Sequence, residues 1–153
     1  MINKFQHNDG GREAAGFKGE AGDCVARSIA IAAELPYQQV YDRLAAGNQS
    51  QRRSKHTRAH HGKRTARSGI STHRKWFKDY MRKLGFEWVP TMFVGQGCKV
   101  HLRSDELPKG RIITVLSRHY AAVVDGVVQD TWPCDRNGTR CVYGYWRKGG
   151  DAK

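Results

Sequence analysis

The stretch RHYAAVVDGVVQDTW, Arg118–Trp132, predicts a β-hairpin in the second half of the chain. Asp125 and Gly126 separate two apolar runs, and Asp-Gly in that position is a strong signal for a two-residue hairpin turn. A turn at these residues places Val124 opposite Val127 and sets the register of all the following pairs. The stretch therefore predicts two neighbouring antiparallel strands.

This register brings one histidine and one aspartate to the same face of the hairpin. Ala121 lies opposite Asp130, and His119 precedes Ala121 by two residues, so that His119 and Asp130 are diagonal neighbours. Their backbones are then about 7 Å apart, a separation at which a carboxylate can hydrogen-bond an imidazole and fix its tautomer. Asp125 is a weaker candidate for this role, because the turn already accounts for it.

The first half of the chain has the periodicity of helices. Asp23 as an N-cap, followed by apolar residues at helical spacing, predicts a helix over residues 24–34. A second helix is expected after Pro36, and a third from an N-cap at Ser71 to Leu84. Residues 1–20 are glycine-rich and lack periodicity, and we expect a loose N-terminal segment there.

After the third helix, the apolar residues occur in short runs separated by turn residues. The runs typical of strands are FEWVPTMFV (86–94), CKVHL (98–102), RIITVLS (111–117), HYAAVVD (119–125), GVVQD (126–130) and CVYGYW (141–146). Helices followed by strands indicate an α+β fold, in which N-terminal helices pack on a C-terminal, mainly antiparallel sheet.

The composition is that of one basic domain. The 153 residues suffice for a single domain, and the net charge of +13 favours polyanions as partners. There is no apolar run of about 18 residues, so we expect neither a membrane span nor a membrane partner. The N-terminus lacks the apolar core of a signal peptide, which predicts a cytoplasmic protein.

Residues 47–69 form a segment of unusual composition. They hold seven Arg or Lys and three His, without any acidic or large apolar residue. Such a composition cannot bury enough apolar surface to offset the entropy of ordering, which predicts a mobile basic loop or insertion. The loop is either a solubilising insertion or a contact for nucleic acid or another polyanion through Arg52, Arg53, Lys55, Arg58, Lys63, Arg64 and Arg67.

The cysteines and the loop histidines do not indicate a metal site or a disulfide framework. Four cysteines occur without a signal peptide and without a CxxC spacing. Cys134 and Cys141 flank a turn and could face each other, but two reduced thiols are the simpler interpretation. His56, His60 and His61 lack partner ligands at metal spacing, so we expect no metal and no organic cofactor.

Cys24 begins the first predicted helix, where the positive end of the helix dipole lowers the pKa of a thiol. A histidine oriented by an aspartate can pair with such a thiolate and protonate a leaving group. Cys24, His119 and Asp130 are therefore a candidate catalytic triad. The hairpin places His119 beside Asp130, but nothing in the sequence places Cys24 beside either, and a buried core cysteine is the alternative interpretation.

These motifs resemble those of papain-like cysteine peptidases: GDCVARSIA at the head of a helix, HYAAVVDG on a strand and QDTW on the next. The chain is similar to compact bacterial members, such as the peptidase domains that trim bacteriocin leader peptides, and to phage-type or bacterial proteins with the same pattern. The resemblance implies Cys24 as nucleophile, His119 as base and Asp130 as the residue that orients His119.

The resemblance covers residues 18–46 and 110–132 and departs from the family at the oxyanion site. Many relatives carry a glutamine about six residues before the cysteine, where this chain has Lys18. The backbone N–H of Cys24 remains available as an oxyanion donor, with Lys18 or Gln96 as candidate assistants.

The sequence thus predicts a single papain-like domain, residues 1–153, that hydrolyses an amide, peptide or isopeptide bond in a peptide or protein substrate. Acyl transfer and deamidation would use the same triad, because the acceptor determines the outcome. Two alternatives stay open. One is a basic phage or bacterial nucleic-acid-binding protein in which the triad is incidental, and the other is an inactive peptidase fold that only binds.

Overall fold

The computed structural model describes residues 5–16, 23–50, 74–93 and 95–149. Within these residues the chain forms three helices and a six-stranded mixed sheet, which confirms the α+β character. The helices are α1 (Cys24–Ala33), α2 (Tyr37–Ser50) and α3 (Lys75–Lys83). The strands are β1 (Phe5–His7), β2 (Phe86–Pro90), β3 (Arg111–Leu116), β4 (His119–Val124), β5 (Val127–Asp130) and β6 (Gly144–Lys148).

The strand order in the sheet is β1-β5-β4-β3-β6-β2. All neighbouring pairs are antiparallel except β1 with β5, which is parallel. The hairpin of β4 and β5 has the predicted register, with Ala122 opposite Gln129 and Val124 opposite Val127. Asp125 and Gly126 both have positive φ, as the two-residue turn requires.

The two faces of the sheet are covered by different parts of the chain. On one face, helices α1, α2 and α3 pack against side chains that include Ile113, Tyr120 and Trp146. On the other face, loop residues such as Leu102 and Val142 pack against alternate strand residues. None of the helices in the described part of the chain is long and apolar enough to cross a bilayer.

The N-terminal segment differs from its prediction. Residues 5–16 contain β1 and hydrogen-bonded turns, so the loose segment predicted over 1–20 is wrong for these residues. The N–H of Asn8 donates to the carbonyl of Asp130, and its side-chain amide donates to Gln129. The partners of this segment lie on β5, far along the chain, and for that reason local sequence does not reveal its order.

Some predicted boundaries also shift. CKVHL does not form a strand and contributes only an isolated bridge between His101 and Cys141. Helix α2 continues to Ser50, so the first residues of the predicted basic loop are helical, whereas residues 51–69 lie outside the described residues. Helix α3 begins after Arg74, and the predicted N-cap Ser71 lies outside the described residues too.

The cysteine pairing also differs from the expectation of reduced thiols. Cys98 and Cys141 form a disulfide, while Cys24 and Cys134 are free. The β-bridge between His101 and Cys141 brings the segment of Cys98 beside that of Cys141. The Cα atoms of Cys98 and Cys141 are 5.9 Å apart. A pairing across 43 residues of sequence depends on this tertiary contact and has no local signal.

Candidate active site

The first component of the site is the pair of His119 and Asp130. His119 is the first residue of β4 and Asp130 is the last residue of β5. The Nε2 atom of His119 lies 2.6 Å from Oδ2 of Asp130, and the two side chains are only 10% and 4% exposed. The other carboxylate oxygen, Oδ1, accepts the N–H of Thr131. The carboxylate is therefore held in place while it orients the imidazole.

Cys24 is the second component, and the packing of α1 brings it to this pair. Most of α1 is buried, and the helix packs against β4. Cys24 is the first residue of α1, and its thiol lies near enough to the imidazole of His119 and the backbone of Tyr120 for both to lower its pKa. The three predicted triad residues thus lie together, with His119 hydrogen-bonded to Asp130 and acting electrostatically on Cys24.

The surroundings favour the charged forms of all three side chains. Burial alone raises the pKa of Cys24, but the hydrogen bonds from His119 and Tyr120 and the charges of His119 and Arg27 lower it below its usual range. Burial also opposes the charged form of His119, but Asp130 and the neighbouring thiols raise its pKa to about 11. For Asp130, burial is likewise outweighed by His119, so its pKa is lowered. These directions favour the thiolate–imidazolium pair over the neutral pair.

A second thiol, Cys134, contacts the same His–Asp pair and was missed by the sequence analysis. Cys134 is fully buried, and its sulfur lies within 4.8 Å of a ring nitrogen of His119 and a carboxylate oxygen of Asp130. Burial, together with the charge of Asp130, raises the pKa of Cys134, so it stays a neutral thiol. Cys134 lies in the loop after β5, and no spacing in the sequence indicates that this loop folds back onto His119.

His119, Asp130 and Cys134 also carry atoms of the kind that bind metals, and these atoms lie within 4.8 Å of one another. The distance of 2.6 Å between Nε2 of His119 and Oδ2 of Asp130 is nevertheless that of a hydrogen bond. Two tetrahedral ligands of one zinc ion would be about 3.3 Å apart at the usual bond lengths. The observed geometry fits a shared proton better than a shared ion.

Asp23, predicted as the N-cap of α1, has a different role. It precedes Cys24, but its side chain makes no capping hydrogen bond. Its buried carboxylate instead accepts hydrogen bonds from Arg27 and from the hydroxyl of Tyr37, and it pairs with Arg12 at 2.8 Å. A carboxylate with such partners in a buried position is held by charge and hydrogen bonding rather than by the helix end.

Arg27 connects this buried carboxylate to the triad. One terminal nitrogen pairs with Asp23, and the other, Nη2, lies 3.6 Å from Oδ1 of Asp130. On the outer side of the site, the ring of Trp132 lies 5.5 Å from that of His119 and is 46% exposed. Trp132 therefore covers one side of the imidazole.

Of the predicted oxyanion donors, Cys24 and Gln96 lie in the described part of the chain. The N–H of Cys24 belongs to the first turn of α1, where no intrahelical acceptor exists. Gln96 lies in an exposed turn and makes no hydrogen bond with Cys24 or His119 among the described residues. Lys18 and the seven basic side chains of the predicted loop lie outside the described residues.

Asp125, the weaker candidate for orienting His119, lies in the hairpin turn. Its carboxylate accepts a hydrogen bond from the N–H of Gly110.

Comparison with known proteins found no matching protein family, no matching curated protein and no matching solved structure.

Proposed function

We propose that this chain is a cysteine hydrolase of papain-like type that cleaves an amide, peptide or isopeptide bond in a peptide or protein substrate. The observation that carries this proposal is the convergence of Cys24, His119 and Asp130 in the folded chain. Cys24 stands at a helix N-terminus, the imidazole of His119 lowers the pKa of its thiol, and the imidazole is held by a buried carboxylate 2.6 Å away. Each residue has the environment that its role in acyl transfer requires.

The chemistry follows from these positions. The Cys24 thiolate attacks the carbonyl carbon and forms a C–S bond, while the carbonyl electrons move to the oxygen. The N–H of Cys24 is placed to stabilise that oxygen. When the intermediate collapses, the C–N bond breaks and the His119 imidazolium gives its proton to the leaving amine. Water then loses a proton to His119 and attacks the thioester, which releases the acid and restores the thiolate.

The site also bears on the alternative of a core cysteine. Cys24 is only partly buried, whereas Cys134 is enclosed completely. A thiol kept for packing gains nothing from a charged imidazole, because burying a charge is costly unless it is paired. The pairing of Cys24 with His119 therefore favours a reactive role over a packing role.

The test is the pH dependence of Cys24 alkylation by iodoacetamide between pH 5 and 9, followed by peptide mass spectrometry. Wild-type Cys24 should react well below pH 8, because thiolate is the reactive form. In His119→Ala, the reaction should shift toward the pH range of an ordinary thiol. Superimposable profiles for the two proteins would show that His119 does not activate Cys24, and the proposal would be abandoned.

A second candidate function, binding of nucleic acid or another polyanion, is favoured by the net charge of +13 and the seven basic residues clustered in 47–69. Such binding weakens steeply with salt, because it depends on counterion release. Replacing the seven basic residues with glutamine should lower the salt concentration that elutes the protein from heparin. Equal elution of variant and wild type would remove the loop from this role.

A further inference from the structure

We propose that Arg27 is a positioning residue of this site, bridging Asp23 and Asp130 so that the Asp130 carboxylate stays aimed at His119 and the Cys24 thiolate stays balanced by positive charge. The inference rests on the proposed function, because it assigns Arg27 a role in activating Cys24. Arg27 lies on α1, one turn after Asp23, and its side chain is only 11% exposed.

The two carboxylate oxygens of Asp130 have different partners. Oδ2 is 2.6 Å from His119, while Oδ1 accepts the N–H of Thr131 and lies 3.6 Å from Nη2 of Arg27. Arg27 therefore contacts the oxygen that is turned away from the imidazole. Because its other terminal nitrogen pairs with Asp23 on α1, the guanidinium ties the helix that carries Cys24 to the strand that carries Asp130.

Arg27 belongs to a buried cluster of charged groups. The groups that face it or its partners come from the N-terminal segment, α1, α2, β4, β5 and the following loop: Arg12, Asp23, Cys24, Tyr37, His119, Asp130 and Cys134. Tyr37 and Cys134 are held neutral, since the pKa of each is raised. The two arginines and the imidazolium then balance two carboxylates and one thiolate.

Removal of the Arg27 charge would leave this buried cluster with one excess negative charge. The thiolate is the member that can take up a proton most readily near neutral pH, so the pKa of Cys24 should rise. The charge of Arg27 does lower the pKa of both Cys24 and Asp130. A purely structural ion pair would behave differently: its loss would lower stability without moving the pH dependence of Cys24.

The experiment measures the rate of iodoacetamide alkylation of Cys24 from pH 5 to 9 in wild type, Arg27→Gln, Arg27→Lys and Lys75→Gln. Lys75 is the matched control, since it loses the same charge from an exposed pair with Asp79 on α3. In Arg27→Gln, we expect the pH at which the alkylation rate of Cys24 rises to be about one unit higher than in wild type. The alkylation rate at pH 6 should then fall about tenfold. Arg27→Lys should move that pH upward by less, because the positive charge is kept while an ammonium cannot bridge two carboxylates as a guanidinium can.

The profile of Lys75→Gln should match that of wild type. An Arg27→Gln profile that superimposes on wild type, or a Lys75→Gln profile that shifts equally, would overturn the role of Arg27. Should Arg27→Gln not fold, as judged by circular dichroism, Arg27→Lys decides: an upward shift supports the bridge and an unchanged profile refutes it. Failure of the proposed function is recognised separately, by a His119→Ala profile identical to that of wild type.

Discussion

The imidazole of His119 and the carboxylate of Asp130 meet across a hairpin, with Nε2 2.6 Å from Oδ2. The two residues lie diagonally, His119 at the start of β4 and Asp130 at the end of β5. This pair is the centre of the site, because Cys24, Cys134 and Arg27 each interact with at least one of its two members.

The first prediction concerns the triad as a unit. His119→Ala should slow alkylation of Cys24 at pH 7 by about 30-fold, since an ordinary thiol is only a few per cent ionised there. Asp130→Ala should cost less, because the carboxylate acts through the imidazole. The double variant should be hardly slower than His119→Ala alone, as expected for residues that share one step. Additive losses in the double variant would contradict this, and Asp79→Ala, an exposed aspartate, serves as the control.

The second prediction contrasts the two free thiols. In the native protein at pH 7, iodoacetamide should label Cys24 and leave Cys134 unmodified, because Cys134 is fully buried and its pKa is raised. In urea, both thiols should react at similar rates, which provides the internal control. Peptide mass spectrometry distinguishes the two sites. Labelling of native Cys134 as fast as Cys24 would rule out the neutral, enclosed thiol.

The third prediction concerns the turn that sets the hairpin register. Gly126 and Gly95 both have a φ of +81°, but an added Cβ at Gly126 would lie 3.1 Å from Cβ of Ser104, whereas Gly95 has open space. Each change to alanine should cost about 1 kcal/mol for the left-handed backbone. Gly126→Ala should cost more than Gly95→Ala because of the Ser104 contact, as measured by urea unfolding. Equal losses would show that the turn accommodates the methyl group freely.

The fourth prediction follows from the hydrogen bond between Tyr37 and Asp23. Burial and this bond raise the pKa of Tyr37, so folding favours the neutral phenol. The corresponding stabilisation is complete below the unfolded pKa of about 10 and is lost as the pH rises further. Tyr37→Phe should therefore be about 1–2 kcal/mol less stable than wild type at pH 7. The difference should shrink above pH 10.

Urea unfolding at pH 7 and 10.5 measures this difference, with Tyr143→Phe as the control at an exposed tyrosine. A difference between Tyr37→Phe and wild type that stays constant from pH 7 to 10.5 would mean that folding does not hold the phenol neutral.

Local sequence predicted those parts of the fold that depend on neighbouring residues. The spacing of apolar residues predicted α1, with Cys24 at its start. The turn at Asp125 and Gly126 predicted the pairing of β4 with β5, and through it the approach of His119 to Asp130. A two-residue turn permits one register, and side chains alternate along a strand, so a short stretch suffices to specify which residues meet.

The remaining contacts depended on how distant elements pack. Cys24 reaches His119 because the apolar face of α1 lies on the sheet, and an apolar face specifies that it is buried but not what covers it. The same holds for the bridge from Arg27 to Asp130, the return of Cys134 to His119 and the pairing of β1 with β5. Hydrophobic packing is non-directional, so its partners emerge only when the whole chain has folded.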